Sequence, residues 1–146
     1  MTLNDEIKNE ISSILRPSDI LDDWEDIADK LSDEFLWVGS KIDWANTVGH
    51  KTIELHGDYT NWVKEVNEFI NSYHIDDIIL RSSEVYYIND SSLDFSVRLT
   101  PRGFLLFLDV AIRKIPQHHY FFDLENKWCL VVSSEGYVDF GFSRNI

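Results

Sequence analysis

One cysteine, three prolines and six glycines are all that 146 residues contain of these types. A lone Cys129 excludes an internal disulfide and agrees with a reducing compartment. Six glycines leave little material for phosphate-cradling loops, and no GxSxG, Walker-type or GxGxxG pattern occurs. No apolar run nears the roughly 18 residues that a bilayer span needs. The longest, Phe104–Leu108, is interrupted by Asp109. The opening residues MTLNDEIKNE lack the basic start and apolar core of a signal peptide, so the expected location is cytoplasmic. Positive charge is also scarce: 13 basic against 26 acidic side chains, a net charge of −13. The deficit is concentrated in residues 1–77, which hold 18 acidic and 6 basic side chains. A surface of that sign repels phosphate, which excludes nucleic acid and anionic membranes from the expected partners. It suits a chain that is simply soluble or one that meets a basic partner.

What is present is a folding sequence. Hydrophobic residues make up 44% and aromatics 14%, enough for a globular core, and the length suits a single domain over 1–146. Leu3, Ile7, Ile11, Ile14 and Leu15 predict a helix over 3–15 that Pro17 stops. Ser18 reads as the cap of a second helix over 19–35, with the stripe Ile20, Trp24, Ile27, Ala28, Leu31 and Phe35. On another face of that helix, Asp22, Asp26, Asp29 and Asp33 recur at i, i+4, i+7 and i+11, forming a ridge of carboxylates. Residues 36–57, punctuated by Gly39, Gly49 and Gly57, read as irregular with one or two short strands near Thr52–Leu55. A third helix is expected from Asp58 to Tyr73. Beyond Asp77 the period shortens. Strands are expected at Ile78–Leu80, Val85–Ile88 and Leu93–Leu99, with Asn89-Asp90-Ser91-Ser92 as a turn between two of them. A helix over Phe104–Lys114 follows, with Thr100 as cap and Pro101 at its first position. His118–Asp123, Trp128–Ser133 and Tyr137–Phe142 complete the strands, and the last four residues are expected to fray. Helices first and then a mostly antiparallel meander with one inserted helix make an α+β domain.

The stretch QHHYFFDLENKWCLV at 117–131 is where reactive residues gather. His118 and His119, adjacent on a strand, point to opposite faces and cannot converge on one metal. His50, His56 and His74 are scattered without metal-ligand spacing. Cys129, between Trp128 and Leu130, has no base near it in sequence and reads as buried and inert. Asp22-Asp23 and Asp76-Asp77 are carboxylate pairs, but acid–base work needs a cleft that separates their pKa values. The expectation is therefore no enzyme, no metal and no cofactor. Trp24, Trp62 and Trp128 read as core, whereas Trp37 and Trp44 either cover the sheet or anchor a partner.

The block HHYFFDLENKWCLVVSSEGYVDFGF resembles the hairpin ending of small immunity proteins from bacterial contact-dependent growth inhibition and other polymorphic toxin systems. The residues that carry the likeness are the aromatic run His119–Phe122, the triplet Trp128-Cys129-Leu130, and Gly136 before an aromatic strand, about a fifth of the chain. The resemblance implies a non-catalytic inhibitor that binds its cognate toxin domain one to one and occludes its active or substrate-binding surface. Many such toxins are nucleases with a basic substrate face, which the acidic ridge fits independently. The contact residues expected on that reading are Asp22, Asp23, Asp26, Asp29, Asp33, Glu34 and Trp44. The alternatives are an interaction or regulatory module with no toxin, or a small enzyme using His119 and Cys129.

Overall fold

The computed structural model describes residues 2–89 and 93–144. Most of the turn expected at 89–92 and the last two residues of the tail expected to fray lie outside them. Thr2 opens the first helix, α1 (Leu3–Ile11): its hydroxyl accepts from Asp5 N at 3.2 Å, and the Asp5 carboxylate accepts from Thr2 N. The helix stops earlier than Leu15 because Ser12 turns back, its hydroxyl donating to Asn9 O at 2.7 Å. Ile14 and Leu15 still pack against the core from the turn that follows.

The second helix is shorter than its periodicity predicts. Pro17–Asp19 form a 3-10 turn, Ile20–Leu21 form strand β1, and α2 covers only Trp24–Glu34. Ser18 is therefore not the cap; Asp23 stands at that position. The cause is tertiary. Arg98 donates through Nε to Asp19 Oδ1 at 3.3 Å and through Nη2 to Ser18 O at 3.0 Å. Ile20 and Leu21 pair with Val97 and Ser96. A sheet edge claimed these residues against their helical spacing, so Ile20 leaves the expected stripe and Asp22 lies before the helix.

Two further short strands, β2 (Trp37–Val38) and β3 (Lys41–Ile42), form a hairpin, and Gly39 supplies the positive φ (62°) that its two-residue loop requires. After a 3-10 turn at Trp44–Asn46 comes β4 (Val48–Glu54), longer than expected. Helix α3 (Tyr59–Ser72) is capped by Asp58, which accepts from Asn61 N at 2.9 Å, close to its expected span. Ile78–Leu80 is not a strand. It ends helix α4 (Ile75–Leu80), which buries Ile75 and Ile79 one turn apart. So short an apolar run carries no period of its own.

The C-terminal half follows expectation more closely. Strands β5 (Val85–Asn89) and β6 (Ser96–Leu99) precede α5 (Pro101–Lys114), where Thr100 Oγ1 accepts from Gly103 N at 3.0 Å and Pro101 opens the helix. Strands β7 (His119–Asp123), β8 (Trp128–Ser133) and β9 (Tyr137–Phe142) then form a meander. Seven strands make one antiparallel sheet in the order β1-β6-β5-β7-β8-β9-β4. The chain is α+β, but both sheet edges, β1 and β4, come from its N-terminal half.

One face of the sheet carries α1, α3, α4 and α5 over a core that includes Val66, Ile70, Tyr87, Phe104, Phe107, Phe121, Trp128 and Phe140. The other carries α2 and the β2–β3 hairpin over a smaller cluster of Ile27, Leu31, Ile42, Tyr120, Phe122, Cys129 and Val131. Strand β7 is thus buried on both faces. The tail is held as well: Ser143 N donates to Lys127 O at 2.8 Å.

Candidate functional site

The helix-rich face of the sheet is closed by packing. The opposite face is covered by α2 and the β2–β3 hairpin, and it presents two distinct surfaces.

The first is the outer side of α2. Ile27 and Leu31 point into the smaller cluster, with Trp24 and Ala28 half-buried beside them. That orientation leaves Asp22, Asp23, Asp26, Asp29 and Asp33 exposed, together with Glu25, which the spacing argument passed over. No described basic side chain lies within 4.0 Å of any of these carboxylates. Asp22 and Asp23 precede the helix while Asp26, Asp29 and Asp33 ride on it, so the surface is an acidic face rather than one continuous helical ridge. Glu34 differs from its neighbours. It is half-buried, accepts from Ser143 Oγ at 3.0 Å and has Lys127 Nζ at 3.9 Å. Its role is to tie the chain end to α2.

The second surface is a cleft of about 250 Å³ beside the hairpin. The pairing register builds its floor. Tyr120 lies opposite Val131, Val131 opposite Asp139, and Asp139 opposite Thr52, which lines up one row across four strands. Ser133 and Tyr137, paired on the neighbouring row, extend it. Lys41, Ile42 and Trp44 form the wall. Trp44 can lie against the sheet because residue 141 is glycine: a Cβ there would stand 2.8 Å from Thr47 Oγ1 and 3.3 Å from the Trp44 ring. The indole stacks on His50 with centroids 5.1 Å apart and planes 10° from parallel. His50 Nε2 in turn sits 2.8 Å from Asp139 Oδ1. At the rim, Lys41 Nζ and Glu135 Oε1 meet at 2.6 Å, and Lys41 holds the Glu135 carboxyl below its ordinary pKa. Trp44 therefore belongs to this cleft and not to the α2 face. Tyr120 borders both the cleft and the hollow between α2 and the hairpin.

Sequence reasoning missed the cleft because its parts are far apart in the chain. Only the strand register brings Thr52 beside Asp139. A charged residue in the middle of an otherwise apolar strand, Asp139 in YVDFGF, was the available signal.

Within the stretch that gathers histidine and cysteine, His119 and Cys129 belong to the core, while His118, Tyr120 and Val131 line the cleft. His119 is buried on the helical side, where its Nδ1 and Tyr87 Oη share a hydrogen bond of 2.7 Å. Burial first, and then the neighbouring His118, hold the His119 imidazole down at about 3. The folded state thus keeps it neutral, while an unfolded chain protonates it below about 6.5. Stability from this source is complete above the unfolded value and is lost as pH falls from there toward about 3. Chemical denaturation at pH 7 and pH 5 is expected to differ by about 1–2 kcal/mol through this residue. His119→Gln should reduce the pH dependence by that amount; an unchanged dependence would contradict the assignment.

Cys129 is fully buried on the other face. Burial, and then Asp139, raise its thiol well above its ordinary pKa, which removes the thiolate that a nucleophile needs. His119 and Cys129 project from opposite faces of adjacent strands and do not converge. Asp123 accepts from Glu125 N at 2.8 Å and Asn126 N at 3.1 Å, shaping the turn between β7 and β8. Elsewhere, His74 joins the Asp76-Asp77 pair at the start of α4, bringing possible ligand atoms within 4.8 Å of one another. Exposed acidic groups take up such arrangements without an ion.

No helix among the described residues is long and apolar enough to cross a membrane. No protein-family model matches the chain, and no curated protein matches its sequence.

Proposed function

We propose that this chain is an immunity protein that neutralises a cognate bacterial toxin domain by binding it one to one. The observation that carries the reading is the α2 face: six exposed carboxylates, Asp22, Asp23, Glu25, Asp26, Asp29 and Asp33, with no described cation paired to them. A nuclease must carry a basic substrate surface to hold its phosphates, and such a surface is the complement of this face. Carboxylates on a rigid helix occupy the positions of phosphates, speed encounter and block the substrate. The partner is a protein, and the location of the encounter is the cytoplasm of the producing cell.

Co-expression tests the reading. The chain is expected to restore growth to cells that express a toxin domain encoded immediately upstream of it. Unaltered killing, or a neighbouring gene set devoted to metabolism, would contradict it.

A further inference from the structure

We infer that the cleft beside the β2–β3 hairpin is a binding site for a single organic cation, a guanidinium or alkylammonium group. The inference concerns a different surface from the α2 face and stands whether or not that face meets a toxin.

The chemistry of the lining points to charge and class. Asp139 is a carboxylate with a side chain only 16% exposed, set in a floor beside Tyr120 and Val131 and facing the Ile42 wall. Burying such a group is costly unless it is paired and hydrogen-bonded. Oδ1 meets His50 Nε2, while Oδ2 takes no hydrogen bond from a described residue and stays open to water in the cleft. A ligand that enters the cleft displaces that water and must replace its hydrogen bond, which a charged donor does best. Around it stand hydroxyls of Thr52, Ser133 and Tyr137, which accept hydrogen bonds, and the rings of Trp44, Tyr120 and Tyr137. Aromatic faces beside a carboxylate attract a cation twice, through the ring quadrupole and through the charge.

The other charged groups do not oppose this. Lys41 is at the rim, neutralised by Glu135 at 2.6 Å. His118 is committed through Nδ1, which accepts from Ser134 N at 3.0 Å. His50 already serves Asp139 Oδ1 and is held in place by the Trp44 stack. An anion would face Asp139 with no free cation in the lining, and a neutral apolar ligand would leave Oδ2 unsatisfied.

The probes are Nα-acetyl-L-arginine methylamide, which stands for a side chain of a polypeptide; agmatine, which stands for a free guanidine; and the capped citrulline counterpart, which keeps the shape and loses the charge. Binding is read from Trp44 indole resonances in the intact chain. At least one cation is expected to saturate them, with the citrulline compound at least tenfold weaker. Asp139→Asn should weaken the cation at least tenfold while leaving the citrulline compound unchanged. Tyr137 is 45% exposed, so Tyr137→Ala retains the fold and provides a second variant, expected to weaken binding severalfold. Tighter binding of the capped arginine assigns the site to a protein side chain; tighter binding of agmatine assigns it to a free ligand. No saturable change with either cation, equal binding of citrulline, or full affinity in both variants would overturn the inference.

Discussion

Trp128→Ala is expected to lower the unfolding free energy by about 3–5 kcal/mol. Trp128 is fully buried in β8, its ring 5.8 Å from that of Phe140, and its indole N–H donates to Ser82 Oγ at 3.2 Å. Alanine removes the largest side chain of the main core and leaves a void that rigid neighbouring strands cannot close. It also leaves the buried Ser82 hydroxyl without that donor, which adds about 1 kcal/mol. Small domains have only about 5–15 kcal/mol in total, so the variant should sit near the edge of folding. Urea denaturation followed by far-UV circular dichroism measures the loss. Trp44→Ala, which removes a half-buried ring at the cleft wall, should cost much less. A Trp128→Ala loss below that of Trp44→Ala would mean that the sheet core is not where stability resides.

The largest functional effect is expected from reversing the charge of α2. Asp26→Lys, Asp29→Lys and Asp33→Lys together change the face by six charge units on exposed positions, so helix content and melting temperature should hold. Lysine at 33 suits the negative end of the helix, whereas lysine at 26, in the first turn, opposes the positive end, so the two changes roughly offset. Electrostatic steering contributes roughly 10- to 1,000-fold to association rates and collapses with salt. The triple variant should therefore associate with a basic toxin domain at least about tenfold more slowly at low ionic strength. Raising the salt should slow the wild type and spare the variant. Stopped-flow mixing at two salt concentrations gives both numbers. Glu34→Lys would be an unsuitable probe, because Glu34 holds Ser143 and lies beside Lys127.

The C-terminal meander was legible because its signals are local. Tyr120 and Phe122 alternate with Phe121 and Asp123, and Gly136 marks the β8–β9 link. The cap and first turn of α5 were legible for the same reason. What failed was decided at a distance. Ile20 carries the spacing of a helix, yet Val97 pairs with it across the chain. Ile78–Leu80 has β-branched residues but lies in a helix because Ile75 and Ile79 share a buried face. The β2–β3 hairpin consists of two-residue strands, too short for any period. The acidic face was readable because carboxylates four residues apart need only the helix itself. The cleft was not, because Lys41, Thr52, His118 and Asp139 become neighbours only through strand order.

Paired affinity capture probes the α2 face as the proposed contact surface for a basic toxin domain. The wild-type chain and the Asp26→Lys, Asp29→Lys, Asp33→Lys variant serve as baits in extract from cells that express the full set of native secreted toxins, at low and moderate salt. The wild type is expected to retain one basic toxin domain in equal amount, and the variant is expected to lose it. Retention of the same protein by both baits, or capture of an acidic partner, would contradict it.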